Sequence, residues 1–472
     1  MITYQDYLKA VKQGNVAAFV DNAIGTHKES AEYLIALDAE NYMRKRNTTI
    51  MAFQRLIYDV AGMAKVDPVG ANFKCASGFY KQNVTQLCQY LLANGVTFDK
   101  DTTKDKLGGA QFDRQVAKAA RNALAHGIAF GFYDYDKVRV WSILQFVPFW
   151  DEYDGTVKAG VYFWQISPDK PLMADLYTID GKQSFIRETG AKMRLIDGFE
   201  TPQPYKKIVA SVPFSGEVVM EVGQNYPTLP IVPIYGNEEH QAEIVGIKEN
   251  IDAYDLTKCG LINDISDMPL VYWVLENAGG MDEKDLAYWR DAITRNKVAK
   301  TDDEVKVTAN TIGVPYEAQE TILTRLEKDI YNDSMALNTR ELANGNVTAT
   351  AIDAASEPLN NRADELEYCV NDFINGLLAI IGVEDNPHYV RSRITNKMEE
   401  VQMVMQCADV LDEQTLLEKL PILTPEEVQK VLDRNAAEAM DRLDDADDED
   451  DTNTESEEEQ TVTTKGFAAE AE

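Results

Sequence analysis

Apolar positions recur at helical spacing in the first part of the chain, and this predicts helices from Tyr4 to Tyr58. In that stretch Tyr33, Leu34, Leu37 and Tyr42 make one apolar side, closed by Arg44, Lys45 and Arg46 where cations complement a helix C-terminus. A second helix is predicted from Phe79 through Leu92, with Val84, Leu87, Cys88 and Leu91 on one face and Asn94-Gly95 as its stop. A third runs from Gln111 to His126 and ends at Gly127. The period then drops from about 3.6 to about 2. Ile128–Tyr133, Val138–Ile143 and Val157–Ile166 read as a β-meander, and strand-like pieces at Leu172–Ile179, Gln183–Glu188, Lys192–Ile196 and Lys207–Val212 extend it to about Tyr226.

Pro227 to Tyr235 contains three prolines, which remove backbone donors, so it reads as a boundary without regular structure. Beyond it a helix is predicted over Ala242–Ser266. Its apolar stripe includes Ile247, Ile251 and Tyr254, and Lys248, Asp252 and Asp255 lie on another face. A strand at Leu270–Leu275, a turn at Ala278-Gly279-Gly280, a helix over Asp282–Ile293 and a strand at Glu304–Thr308 follow. Pro315 opens a helix in which Ile322, Leu326 and Ile330 recur every fourth residue. Two amphipathic helices thus flank a small mixed insertion. Asn344 to Thr350 reads as a polar loop before the longest helix, about Thr350 to Ile381, where Leu359, Leu366, Phe373 and Ile380 repeat every seven residues and Pro358 predicts a kink. Two more helices are expected at Asn396–Leu411 and Pro425–Met440.

Charge changes the picture at the C-terminus. Of a formal net charge of −33, residues 441–472 carry −12, from 14 acids against Arg442 and Lys465, and this predicts a disordered acidic tail. So acidic a chain is a poor general binder of phosphate backbones. No apolar run reaches membrane-spanning length, and the first residues carry no secretory pattern, which predicts a chain made in a cytoplasm.

Candidate chemistry is sparse. The cysteines at 75, 88, 259, 369 and 407 form no C-x-x-C pair, so reduced thiols are expected and no metal site. His27, His126, His240 and His388 have no local Ser, Cys or acidic partner at catalytic spacing. Asp151, Glu152 and Asp154 have the residue types of a metal or glycosidase site, but Asp154-Gly155 between strands makes them a hairpin turn. Gly345-x-x-Thr348 lacks the lysine of a nucleotide-binding P-loop. No catalytic residue, metal or cofactor is assigned.

The order of parts resembles the portal proteins of tailed bacteriophages, in the branch found in phages of Gram-positive hosts. The likeness rests on His27-Lys28-Glu29-Ser30 with Tyr33, Asn47-Thr48-Thr49-Ile50, Leu92-Ala93-Asn94-Gly95-Val96 and Pro148-Phe149-Trp150-Asp151. A proline-rich entry to Ile251-Asp252-Ala253-Tyr254-Asp255 and the loop before the long helix complete it. Residues 166–226 and the helices after Pro387 match nothing in that pattern.

The resemblance implies an α+β portal fold, assembled as a ring of twelve subunits at one capsid vertex, through which double-stranded DNA is packaged and ejected. Its parts would be a wing (1–241), a stem helix (242–266), a clip (267–314), a second stem helix (315–338), a tunnel loop (339–347), a long wing helix (348–385) and a crown (386–440). The implied partners are the terminase large subunit, the major capsid protein and scaffold, and a head-completion or adaptor protein. No membrane and no enzymatic activity are implied. The resemblance places Arg340, Asn344, Gly345, Asn346, Val347 and Thr348 at the DNA channel. Stem packing falls to Ile247, Ile251, Tyr254, Ile322, Leu326 and Ile330, and the polar face of Lys248, Asp252 and Asp255 is left to meet water or DNA.

Overall fold

The computed structural model describes residues 2–58, 63–67, 70–211, 218–266, 271–276, 306–311, 316–343, 348–392 and 412–420, with shorter pieces between 282 and 289 and between 401 and 435. The chain divides into two compact units, residues 1–345 with 354–393 and residues 346–353 with 394–472.

Four helices open the first unit: α1 (Tyr4–Lys12), α2 (Val16–Lys28), α3 (Ala31–Met43) and α4 (Thr48–Ala52). Ser30 caps α3 by accepting the Tyr33 amide, and Asn47 caps α4 by accepting that of Ile50. The end of the predicted helical stretch is instead β1 (Leu56–Tyr58), paired antiparallel with β2 (Ala64–Val66). The inner face of α3 is Ala36, Ala39, Tyr42 and Met43, whereas Leu34 and Leu37 are exposed. The alanines let α3 approach its neighbours closely, and the apolar stripe read from the larger residues points partly outward.

α5 (Phe79–Leu92) has the predicted bounds and buries Val84, Leu87, Cys88 and Leu91. β3 (Val96–Phe98), α6 (Asp101–Lys106) and α7 (Ala110–His126) follow, and α7 stops at Gly127, whose φ of 84° favours glycine. The predicted meander is split between two sheets. β4 (Ile128–Asp134) and β5 (Lys137–Ser142) form a hairpin, while β6 (Phe146–Trp150), β7 (Val157–Trp164), β8 (Leu172–Thr178), β9 (Gly181–Arg187) and β10 (Arg194–Leu195) make a five-stranded antiparallel sheet. Phe130, Phe132, Trp141 and Phe146 stack between them, with ring centroids 4.6–5.4 Å apart. α2 covers the other side of the larger sheet through Val20, Ala23 and Ile24, and α1 adds Tyr4 and Tyr7. β11 (Lys206–Ser211) pairs with β12 (Val218–Gln224).

The proline-rich boundary is itself a strand, β13 (Ile231–Tyr235), on the edge of the three-stranded sheet β13-β4-β5. The Tyr133 amide donates to the Pro230 carbonyl, so ladder bonds fall at positions 230, 232 and 234. Pro233, opposite Phe130, therefore sits where an amide would point away from β4, and it costs no ladder bond.

α8 (Lys248–Ser266) begins six residues later than expected, because 243–247 are turns, although Ile244 and Ile247 are buried. β14 (Val271–Glu276) pairs antiparallel with β15 (Lys306–Thr311). The turn at 278–280 lies outside the described residues, as does half of the helix expected over 282–293. α9 (Tyr316–Asp333), α10 (Thr339–Ala343) and α11 (Ala349–Ile381), which contains Pro358, lead to β16 (Pro387–Tyr389), which pairs with β3. α12 (Glu413–Lys419), capped by Asp412, occupies the segment expected only to join two helices. Most of 396–411 and 425–440, and all of 441–472, lie outside the described residues.

The largest core joins α5, α7, β4 and α11 through Leu359, Leu366, Val370, Phe373 and Leu377. α11 and the sheet interlock at two glycines. A Cβ at Gly131 would stand 2.4 Å from the Phe373 ring, and one at Gly376 would stand 2.6 Å from Val232. Each glycine is the hole for the other surface's knob.

Candidate functional site

Two helices flanking a small mixed insertion are the elements the sequence singled out, and α8 shows how they are held. The amide of Asn250, at one end of α8, donates to Asp333, at the far end of α9 (2.6 Å), so the two helices run antiparallel. Phe79 sits edge-on to Tyr254 and Tyr331 (5.0 and 5.9 Å) and pins both helices to α5. Ile247, Ile251 and Ile330 are buried in the main core, and Tyr254 and Leu326 are half-buried.

Ile322 departs from the expectation, being half exposed while its neighbour Leu323 is buried. A residue every fourth position drifts about 40° per step on a helix of about 3.6 residues per turn, so two steps carry Ile322 about 80° from Ile330. Leu323, seven residues before Ile330, lies only about 20° away.

The expected polar face of α8 is also corrected. Lys248, Asp252 and Asp255 do not face open water; they dock on the N-terminal helices. Asp255 is fully buried, accepting the Asn47 amide (2.9 Å) and the Ser77 backbone N–H (2.8 Å). Asp252 accepts the Thr49 hydroxyl (2.7 Å), the Lys248 ammonium (2.7 Å) and the Tyr42 hydroxyl. Burial pushes the Asp255 carboxyl up, with only partial relief from Asn47 and Ser77. Burial acts the same way on Asp252, but hydrogen bonds from Lys248, Tyr42 and Thr49 outweigh it and hold that carboxyl below its ordinary value.

A further regularity lies on this face. The backbone N–H groups of Phe73, Cys75 and Ser77 donate to side chains of Asn263 (2.7 Å), Cys259 (3.2 Å) and Asp255 (2.8 Å). Alternate amides of an extended chain recur about every 6.6 Å, and every fourth residue of a helix about every 6.0 Å, so the two repeats match over three rungs.

The segment Thr339–Val347, expected to be a loop, begins as the helical turn α10. Arg340 is exposed and pairs with Glu327 (3.6 Å) instead of standing free. Asn344, Gly345, Asn346 and Val347 lie outside the described residues. Thr348 accepts the Ala351 amide (3.3 Å) and so caps α11.

The acidic turn is a turn. Asp151 accepts the Tyr153 amide (2.8 Å), and the hydrogen bond from Lys158 (2.8 Å), with help from Thr156, draws the Asp154 carboxyl down to about 2. Among the described residues no group of three or more His, Cys, Asp or Glu is placed to hold a metal. His126 does find partners that the sequence concealed. Ser142 Oγ lies 2.9 Å from its Nδ1, and Glu40 lies 3.3 Å from its Nε2. The Ser142 hydroxyl is buried and also accepts the Leu144 amide (3.2 Å), so the trio braces α3 against α7 and β5. Sequence reasoning also missed a cavity of about 940 Å³ whose lining includes Arg44, Lys81, Arg114, Lys118 and Arg121. The α7 residues among these are at i, i+4 and i+7, which was the available signal.

A family model for phage portal proteins of the SPP1 Gp6-like type matches residues 38–449, from α3 through the whole α8–α9 region and beyond. The chain belongs to that portal family. Its function is that of a portal protein, a structural component of a phage particle. The portal protein of Bacillus phage SPP1 is 23% identical over 409 residues, covering 79% of this chain and 78% of that one. The portal protein of Clostridium phage phiCD119 is 25% identical over 213 residues, 42% of this chain and 47% of that one. Among solved structures, a chain in the neck of a native GTA particle computed with C12 symmetry overlaps with a TM-score of 0.42 at 9% identity, covering 80% of this portal-family chain and 98% of its own. Among the described residues no helix is long and apolar enough to cross a membrane.

Proposed function

We propose that twelve copies of this chain form a ring at one capsid vertex and that double-stranded DNA enters and leaves through its centre. The family match over residues 38–449 carries this reading, supported by the antiparallel α8–α9 pair on either side of the paired strands β14 and β15. In this reading residues 242–266, with α8, and residues 315–338, with α9, are the stem and residues 267–314 the clip, which meets the terminase large subunit and later an adaptor protein. Residues 1–241 are the wing, 348–385 the long helix crossing it, 386–440 the crown toward scaffold and major capsid protein, and 441–472 an acidic tail. Residues 339–347 border the channel, with Arg340 as a weak, sequence-independent phosphate contact. Assembly takes place in the host cytoplasm. The chain carries no catalytic step of its own; motion of DNA is driven by its partners.

Electron microscopy of the purified full-length protein is the test. Rings with twelvefold symmetry and a central hole are expected, and a monomer at every concentration overturns the reading. Replacing residues 343–346 with a bulkier segment should leave rings intact and shorten the packaged genome. Unchanged genome content would remove this loop from the channel.

A further inference from the structure

We propose that the cationic cavity between α3, α5 and α7 is a second DNA contact, a seat for the phosphate backbone of the duplex separate from residues 339–347. The proposal rests on the reading that this chain handles double-stranded DNA, and names a further place where the duplex is held.

The cavity gathers Arg44 from the end of α3, Lys81 from α5, and Arg114, Lys118 and Arg121 from α7. Among the described residues that line it Glu40 is the sole carboxylate, so five cations face one acid, a net of +4, in a chain where acids outnumber bases 79 to 46. That carboxylate is already taken, since the Arg44 guanidinium lies 2.7 Å from it and His126 lies 3.3 Å away. Lys118 donates to the Val140 carbonyl (3.2 Å) and keeps its charge. Among the described residues Lys81, Arg114 and Arg121 find no carboxylate within ion-pair distance, although the chain has acids to spare. Three unmatched cations turned toward one cavity make a seat for an anion that comes from outside the chain.

The lining decides which anion. Arg114, Lys118 and Arg121 fall within a sector of about 60° on α7 and span about 10.5 Å of its length. Over that distance each strand of a duplex presents about three phosphates. Gln115 and Asn122, half-buried in the same wall, add side-chain amide donors of the kind that phosphate oxygens accept. A carboxylate-rich protein would answer the charge, but a stable protein contact has an apolar centre. Here Met43 and Ala125 are themselves buried, and Ala117 adds only a half-buried methyl group. A phosphate backbone needs cations and amide donors and no apolar centre, so the duplex is the occupant that this lining fits. Long cationic side chains reading phosphates carry no base preference.

Fluorescence anisotropy of a short labelled duplex with the full-length chain, from about 50 to about 200 mM salt, tests this. The double variant Arg114→Glu/Arg121→Glu should bind at least tenfold more weakly at the lower salt, equally for two unrelated duplex sequences. Its plot of log affinity against log salt should be shallower by about two, one for each phosphate contact removed. Lys170→Glu/Arg194→Glu makes the same charge change at exposed positions on another surface and should bind within threefold of wild type. Should the glutamates lower the melting temperature, Arg114→Gln/Arg121→Gln decides instead, with at least a threefold loss expected. A wild-type chain that binds no duplex, wild-type affinity in the cavity variants or an equal loss in the control overturns the proposal and leaves the ring reading intact. Tighter binding of poly-glutamate than of duplex makes the cavity a seat for an acidic protein and also overturns it. A wild-type chain that stays monomeric, yet loses duplex affinity through the cavity variants, removes the ring and keeps the site.

Discussion

α8 and α11 are both long helices packed on the same body, yet they are seated by opposite chemistry. α11 presents Leu359, Ala363, Leu366, Val370, Phe373 and Leu377, all buried, and interlocks with the sheet at two glycines. α8 offers Asp252, Asp255, Cys259 and Asn263 to hydroxyls, amides and backbone N–H groups. An apolar seat is strong and tolerant of register, because dispersion and water exclusion have little direction. A polar seat gains less net energy and admits one position, since a shifted donor is left buried and unpaired.

The sharpest break of this comparison lies in α11. Phe373→Ala should empty the hollow over Gly131 and cost about 3–5 kcal/mol in urea unfolding of the unassembled chain. A loss below about 1 kcal/mol would mean the interlock contributes little.

In α8, Asp255→Ala leaves the Asn47 amide and the Ser77 N–H without their acceptor, which should cost about 1–3 kcal/mol. Hydrogen exchange should show the loss in residues 73–77 and α8, with α11 protected as before. Uniform loss across both helices would show that the two seats are one cooperative unit.

The pH response separates them further. Asp252 is held low, so its contribution is present above the ordinary carboxylate pKa of about 4 and is lost as pH falls through its lower folded value. Asp255 is pushed up, so its contribution is full below that range and is lost as pH rises through its higher folded value. Exchange protection of α8 should therefore decline on both sides of the carboxylate range, and that of α11 should not. Asp252→Asn should flatten only the acid limb, and Asp255→Asn only the other. A wild-type profile in either variant assigns the slope to another group.

The smallest effect is expected at Ile322→Ser, within about 0.5 kcal/mol in the unassembled chain, because half of that side chain already meets solvent. Leu323→Ser should cost several times more. Equal costs would return Ile322 to the packed stripe.

The same contrast explains what was legible. α5 and α11 were read nearly to the residue, since an apolar seat writes its periodicity into one local stretch. The seat of α8 was misread as an open polar face because its partners, Tyr42, Asn47, Thr49 and Ser77, stand 178–210 positions away and no local pattern reports them. β13 was hidden by Pro233, whose harmlessness depends on strand order and ladder phase, and Ser142 was hidden from His126 by the intervening turn. Asp151 to Gly155 was read correctly because a turn is local chemistry.

The three rungs between residues 73–77 and α8 work like a vernier. Their repeats differ by about 0.6 Å per rung, so the match holds for a few steps and then fails. Sliding α8 by one turn would bring Ile251, which has no acceptor, opposite the Ser77 amide. A pull along the helix axis therefore loads all three bonds together in shear and cannot open them one at a time, so the helix resists slippage along its own axis.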